Sequence, residues 1–92
     1  MKVKCYGKNI EMTDSMKDYV IQKSKSLEKF LSNPCDSELQ VIAEVHKPEQ
    51  VASMVLHDNG RTYTASTKSS DFYEAVLSTL DKLKRKVKEG KQ

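Results

Sequence analysis

Residues 38–66 read ELQVIAEVHKPEQVASMVLHDNGRTYTAS, and this stretch decides the fold. Leu39, Val41, Ala43 and Val45 alternate with Gln40, Ile42, Glu44 and His46, which predicts a strand over 38–46 with one face buried. Lys47-Pro48-Glu49-Gln50 reads as a turn. Val51 to Asp58 predicts a second strand, carrying Ala52, Met54 and Leu56 on one face. Asn59-Gly60 then supplies a hairpin turn of type I′, because both central residues of that turn must take positive φ. Arg61 to Ser66 is the returning strand. The centre of the chain is therefore a three-stranded meander with one apolar face.

Outward from this meander the period changes. Upstream, Val3, Cys5 and Ile10 bracket a first strand that Gly7-Lys8-Asn9 interrupts as a bulge or turn. Thr13 suits a helix N-cap. Met16, Val20, Leu27 and Leu31 recur at helical spacing, with Tyr19 and Phe30 at the edge of the stripe, and predict about five turns that Asn33-Pro34 terminates. Downstream, Thr67 to Ser70 is a loop, and Asp71 with Glu74 forms a capping-box-like start. Phe72, Val76, Leu80, Leu83 and Val87 make a second apolar stripe, with Gly90 as its stop. The order is β-α-β-β-β-α. A chain of this length buries roughly 60–65% of its unfolded surface, enough for one thin core. The expected class is α+β: a four-stranded sheet with two helices packed on one face, an arrangement similar to double-stranded-RNA-binding domains. Residues 1–92 make a single domain.

The net charge of +3 conceals a division along the chain. Residues 1–30 carry +3, residues 31–58 carry −4 and residues 59–92 carry +4. Basic ends around an acidic middle point to a polyanionic partner engaged by one side of the molecule. The second helix is the densest region: Lys82, Lys84, Arg85, Lys86, Lys88 and Lys91 stand against one anion, Glu89. At 100° per residue, Arg85 points away from the apolar stripe and Lys82, Lys84, Lys86 and Lys88 flank it. The first helix adds Lys17, Lys23, Lys25 and Lys29. Lys25 and Lys29 point away from the core, Lys17 is lateral, and Lys23 lies at the edge of the apolar face with its stem packed there. A lysine-rich last turn is also what a solvated helix end looks like, since cations complement the macrodipole. Two helices on one side of a sheet, however, make one composite surface, and lysine rows on both favour polyanion binding. Lysines suit phosphate contact rather than base readout, so structured RNA read by shape is the expected partner.

Other chemistries lack support in the sequence. Cys5, Cys35, His46 and His57 are metal-ligating types, but no two are spaced as a ligand pair, so no metal or other cofactor is expected. Ser69 and Ser70 lie near Asp71 without a histidine to act as base, which argues against an enzyme and against a small-molecule substrate. No apolar run approaches the roughly 20 residues that span a bilayer, and the start lacks the apolar stretch of a secretory signal. No membrane partner is expected, and the cytoplasm is the expected location.

Two blocks of sequence carry a family resemblance. Gly7-Lys8-Asn9-Ile10-Glu11-Met12-Thr13, then Met16-Lys17-Asp18-Tyr19-Val20, resembles the start of ribosome hibernation promoting factors, and Lys23 with Leu27-Glu28-Lys29-Phe30 matches their later helix pattern. Ala65-Ser66, Asp71-Phe72-Tyr73-Glu74-Ala75-Val76, and Leu80-Asp81-Lys82-Leu83 with Arg85 resemble the second helix of that family. The resemblance spans nearly the whole chain. It implies the same β-α-β-β-β-α fold and binding to the small ribosomal subunit and its ribosomal RNA, where messenger and transfer RNA lie, with translation blocked and idle ribosomes preserved under stress. It implies basic roles for Lys17, Lys23, Lys29, Lys82 and Arg85, and capping and packing roles for Asp71 and Tyr73. Lys86 departs from the pattern, since many members carry Gln there. With the outward-facing Lys25 and Lys88, these basic residues (Lys17, Lys23, Lys25, Lys29, Lys82, Arg85, Lys86 and Lys88) form the expected RNA-binding set. Long family members pair two copies through a further C-terminal domain, so dimerisation is expected only if such a domain follows residue 92. The alternative reading is a protein-interaction module. It would use the open sheet face, where Ile42 and Val55 are expected to be exposed and Glu38, Glu44 and Glu49 would attract a basic partner.

Overall fold

A computed structural model describes residues 1–90, with elements β1 (Lys2–Lys8), α1 (Asp14–Glu28), β2 (Glu38–His46), β3 (Glu49–Asp58), β4 (Arg61–Ser69) and α2 (Phe72–Gly90). The four strands lie in chain order, β1 parallel to β2 and the other pairs antiparallel. Alternation sets the register. Leu39 faces Leu56, Val41 faces Met54, and Ala43 faces Ala52, so the apolar side chains of β2 and β3 fall on one face. Val20 and Leu27 from α1 and Phe72, Val76, Leu80, Leu83 and Val87 from α2 close over that face in one core. The expected architecture is the observed one.

The hairpin turn follows its chemistry: Asn59 and Gly60 take φ of 53° and 77°. Asn9 also adopts positive φ, 60°, which an Asn tolerates better than most residues. It ends β1 before Ile10, whose side chain is half-buried against the core. Gly7 allows this turn. A Cβ at Gly7 would collide with the backbone carbonyl of Ile10 and lie 3.4 Å from the amide of Met12. Gly7→Ala must displace backbone rather than a flexible side chain. It is expected to cost about 1–3 kcal/mol, the usual range for overpacking, read as a lower urea midpoint at unchanged m-value.

Several boundaries differ from the sequence expectation. The first helix stops at Glu28 rather than running to Asn33. Phe30 and Leu31 form a closing turn through bonds to the carbonyls of Leu27 and Glu28, and Pro34–Asp36 is a short 3₁₀ turn. Leu31 is still buried, so the apolar periodicity outlasts the helix. Asp58 explains the early exit. Its carboxylate, only 3% exposed, accepts the backbone N–H groups of Ser32 at 2.8 Å and Asn33 at 3.0 Å. It thereby draws the chain out of helical geometry and ties it to the hairpin. β3 begins at Glu49, so only Lys47-Pro48 remains of the expected four-residue turn. β4 continues to Ser69, because Thr67 and Lys68 pair with Ala52 and Val51, where the sequence suggested a loop.

Two polar residues interrupt the apolar stripes, and local bonding accounts for both. Buried Ser24 donates to the carbonyl of Ile21 at 2.9 Å. Buried Thr79 donates to the carbonyls of Ala75, 2.7 Å away, and Ala52, 3.2 Å away, linking α2 to β3.

Candidate RNA-binding face

Each helix is aimed by its cap. Thr13 accepts the Met16 N–H at 3.2 Å and starts α1. Asp71 accepts the Tyr73 N–H at 3.0 Å and starts α2. The expected capping-box arm from Glu74 is replaced: the Asp71 N–H is satisfied by Ser69 Oγ at 3.2 Å, because β4 runs on to Ser69 and brings that hydroxyl to the helix start. At the far end, Arg61 donates to the carbonyl of Gly90. Arg61 sits 29 residues earlier, and nothing local in the sequence marks it for this role.

The two helices run in the same direction. Tyr19, early in α1, meets Tyr73, early in α2, edge-to-face with centroids 4.7 Å apart. Phe30, just past the end of α1, lies 4.6 Å from the ammonium of Lys88, late in α2. Their C-terminal ends, where the lysines concentrate, therefore lie at the same end of the layer.

This arrangement sorts the eight expected residues. Lys23, Lys29 and Lys88 come together along the seam between the helices. Lys23 lies 5.6 Å from the Tyr19 ring, and Lys29 lies 5.4 Å from the Phe30 ring that Lys88 also approaches. Lys82, Arg85 and Lys86 line a shallow groove of about 370 Å³ on the other flank of α2, with Ala65, Ser66 and Glu89. There Lys82 Nζ donates to the carbonyl of Ser66 at 3.2 Å and Lys86 Nζ to that of Thr64, along the free edge of β4. Lys25 is exposed on the outer side of α1. Lys17 stands apart: it lies on the β1 side of α1, where its charge offsets part of the upward push that burial gives the Cys5 thiol. The single composite surface expected from the sequence is thus two cationic strips flanking α2, three residues in each, with Lys17 and Lys25 outside both. Lys91, counted with this helix in the sequence, lies outside the described residues.

The charges of the opposite face behave differently. Among the described residues, the ion pairs are Lys4–Glu38 at 2.9 Å, Lys8–Glu44 at 3.5 Å and His46–Glu44 at 3.2 Å. All lie on the open side of the sheet. Lys4 holds the Glu38 carboxyl below the usual carboxylate range, and His46 with Lys8 does the same for Glu44. Ile42 and Val55, expected to be exposed, are half-buried among their strand neighbours. None of the eight helix cations takes part in an ion pair among the described residues. No helix there is long and apolar enough to cross a membrane, and no group of three or more His, Cys, Asp or Glu is placed to hold a metal.

Known proteins share this sequence and fold. The ribosome hibernation promoting factor of Klebsiella oxytoca is 33% identical over 91 residues, covering 99% of this chain and 94% of that protein. The factor of the same name from Pseudomonas putida is 30% identical over 92 residues, covering 100% and 88%. Among solved structures, the Protein Y N-terminal domain of Thermus thermophilus superposes with a TM-score of 0.88 at 24% identity, covering 97% of this chain and 98% of that one. A ribosomal subunit interface protein from Coxiella burnetii gives 0.85 at 17% identity, covering 99% and 98%. These two likenesses establish the fold, with its strand order and paired helices. The model of the family described as Sigma 54 modulation protein / S30EA ribosomal protein matches residues 3–92. With that match over nearly the whole length, the chain belongs to the Sigma 54 modulation protein / S30EA ribosomal protein family.

Proposed function

We propose that this protein is a ribosome hibernation factor. It binds the small ribosomal subunit in the decoding region, occupies the path of messenger and transfer RNA, and so blocks translation and preserves idle ribosomes under stress. The mechanism is steric and electrostatic, in the cytoplasm, and needs no catalysis, cofactor or metal. Residues 1–92 act as one ribosome-binding domain, and pairing of two ribosomes would fall to a further domain. Lys23, Lys25, Lys29, Lys82, Arg85, Lys86 and Lys88 contact ribosomal RNA phosphates, and Lys17 extends the contact toward β1.

One observation carries this reading: on the sheet face Lys4, Lys8 and His46 are paired with Glu38 and Glu44, while the eight helix cations form no ion pairs among the described residues. A phosphate backbone meeting the helices displaces solvent ions rather than protein carboxylates. The same observation weakens the interaction-module alternative, because Glu38 and Glu44 are already engaged and would attract a basic partner poorly.

Co-sedimentation with purified ribosomes across a salt series tests the proposal. If six phosphates are engaged, the log–log slope of affinity against salt is expected near about −4 to −5. A slope near zero would mean that the ribosome is not held by these cations.

A further inference from the structure

We propose that the cleft where the two helices begin takes an unpaired nucleobase of single-stranded RNA, stacked on Tyr73. This rests on the ribosome-binding reading but adds a contact of a different kind, to a base rather than to phosphates. Tyr73 is 39% exposed although it packs edge-to-face against both Tyr19 and Phe72. Its exposed part borders a cleft of about 380 Å³ whose apolar lining also includes Ile10, Met16 and Phe72, with Gln50 and Ser70 as polar lining groups. An apolar slot with a few polar groups at this scale suits a small flat ligand.

Charge narrows the occupant. Asp71 lines the same cleft, so a phosphate there would meet a carboxylate. A neutral base would not. The cation stands one ring away: Lys23 lies 5.6 Å from Tyr19, and Tyr19 lies 4.7 Å from Tyr73. A strand with its base in the cleft and its backbone along the helix seam runs its nearer phosphates toward Lys23 and later ones, several nucleotides on, toward Lys29 and Lys88 at the C-terminal ends of the helices. Aromatic rings interleaved with cations in this way are the common solution for binding unpaired strands, because every base offers a flat face to stack.

The test compares fluorescence anisotropy of two labelled hexamers, hexa-adenylate RNA and an abasic ribose-phosphate strand of equal length. Wild type is expected to bind the base-bearing strand about fivefold or more tighter, the lower end of what one stacked base contributes. Tyr73→Ala is expected to lose that preference and Tyr73→Phe to keep it, with the abasic strand bound equally by all three. If Tyr73→Ala fails a circular dichroism check, Tyr73→Leu retains apolar bulk without the flat ring and is expected to show the same loss. Equal binding of both strands by wild type, or a preference that survives loss of the ring, overturns the proposal. Ribosome co-sedimentation of wild type separates the two readings. Pelleting without base preference removes only the cleft site, whereas base preference without pelleting removes the ribosome reading and leaves the cleft standing.

Discussion

Reversing two charges on α2, Lys82→Glu with Arg85→Glu, is expected to abolish inhibition of a cell-free translation reaction while the chain stays folded. Both side chains are exposed and line the same groove beside β4. Hydrogen bonds to charged groups contribute about 1.5–3 kcal/mol each, so losing two and replacing them with repulsion should weaken ribosome binding on the order of 100-fold or more. Stability should move little. Exposed substitutions shift it by about 0.5 kcal/mol, and Lys82 adds only one exposed bond, to the carbonyl of Ser66. His46→Ala with His57→Ala is the control. His46 pairs with Glu44 and His57 bonds Thr62 at 3.1 Å, both on the opposite face of the sheet, so inhibition should persist. Full inhibition by a folded Lys82/Arg85 variant would remove that groove from the ribosome contact.

The largest stability effect is expected from Leu80→Ala. Leu80 is 2% exposed and sits in the core between α2 and the sheet. Removing its three terminal carbons loses their transfer free energy and leaves a cavity that a rigid sheet cannot fill, a cost of about 2–5 kcal/mol. A small domain has only about 5–15 kcal/mol to lose, so the urea midpoint should fall by a large fraction. Leu77→Ala on the same helix gives the contrast. Leu77 is 42% exposed, so its truncation should cost well under half as much. Equal effects at the two positions would contradict the packing of α2.

The sheet face and the helix face both carry lysines, and only the helix face is proposed to bind RNA. On β1, the side chains of Lys4 and Lys8 emerge across from Glu38 and Glu44 of the parallel partner strand, and the pairs form by register. On the helices, Asp81 stands one turn before Arg85 and Glu89 one turn after it, at spacings where exposed pairs can form, yet no ion pair closes there among the described residues.

Much of the architecture was legible in the residues themselves. Period-two alternation at 39–45 and 52–56, period-3.6 stripes at 16–27 and 72–87, and the Asn59-Gly60 turn fixed the elements and their order, because burying one face imposes its periodicity on the chain. The apolar stripes likewise identified which lysines point outward. Other features were decided by contacts between residues far apart in sequence. Asp58 reads as an ordinary turn residue, yet it ends α1 by accepting N–H groups 25 and 26 residues away. Ser69 displaces Glu74 as the partner of the Asp71 N–H only because β4 pairs to its end with β3. The sequence placed eight cations on outward faces of two helices. Only the parallel packing of those helices, visible in Tyr19 on Tyr73 and Phe30 beneath Lys88, gathered six of them into a seam and an edge groove and left Lys25 on the outer side of α1 and Lys17 beside β1. A helical wheel gives each side chain an angle about its own axis, but the angle between two axes comes from the core they share.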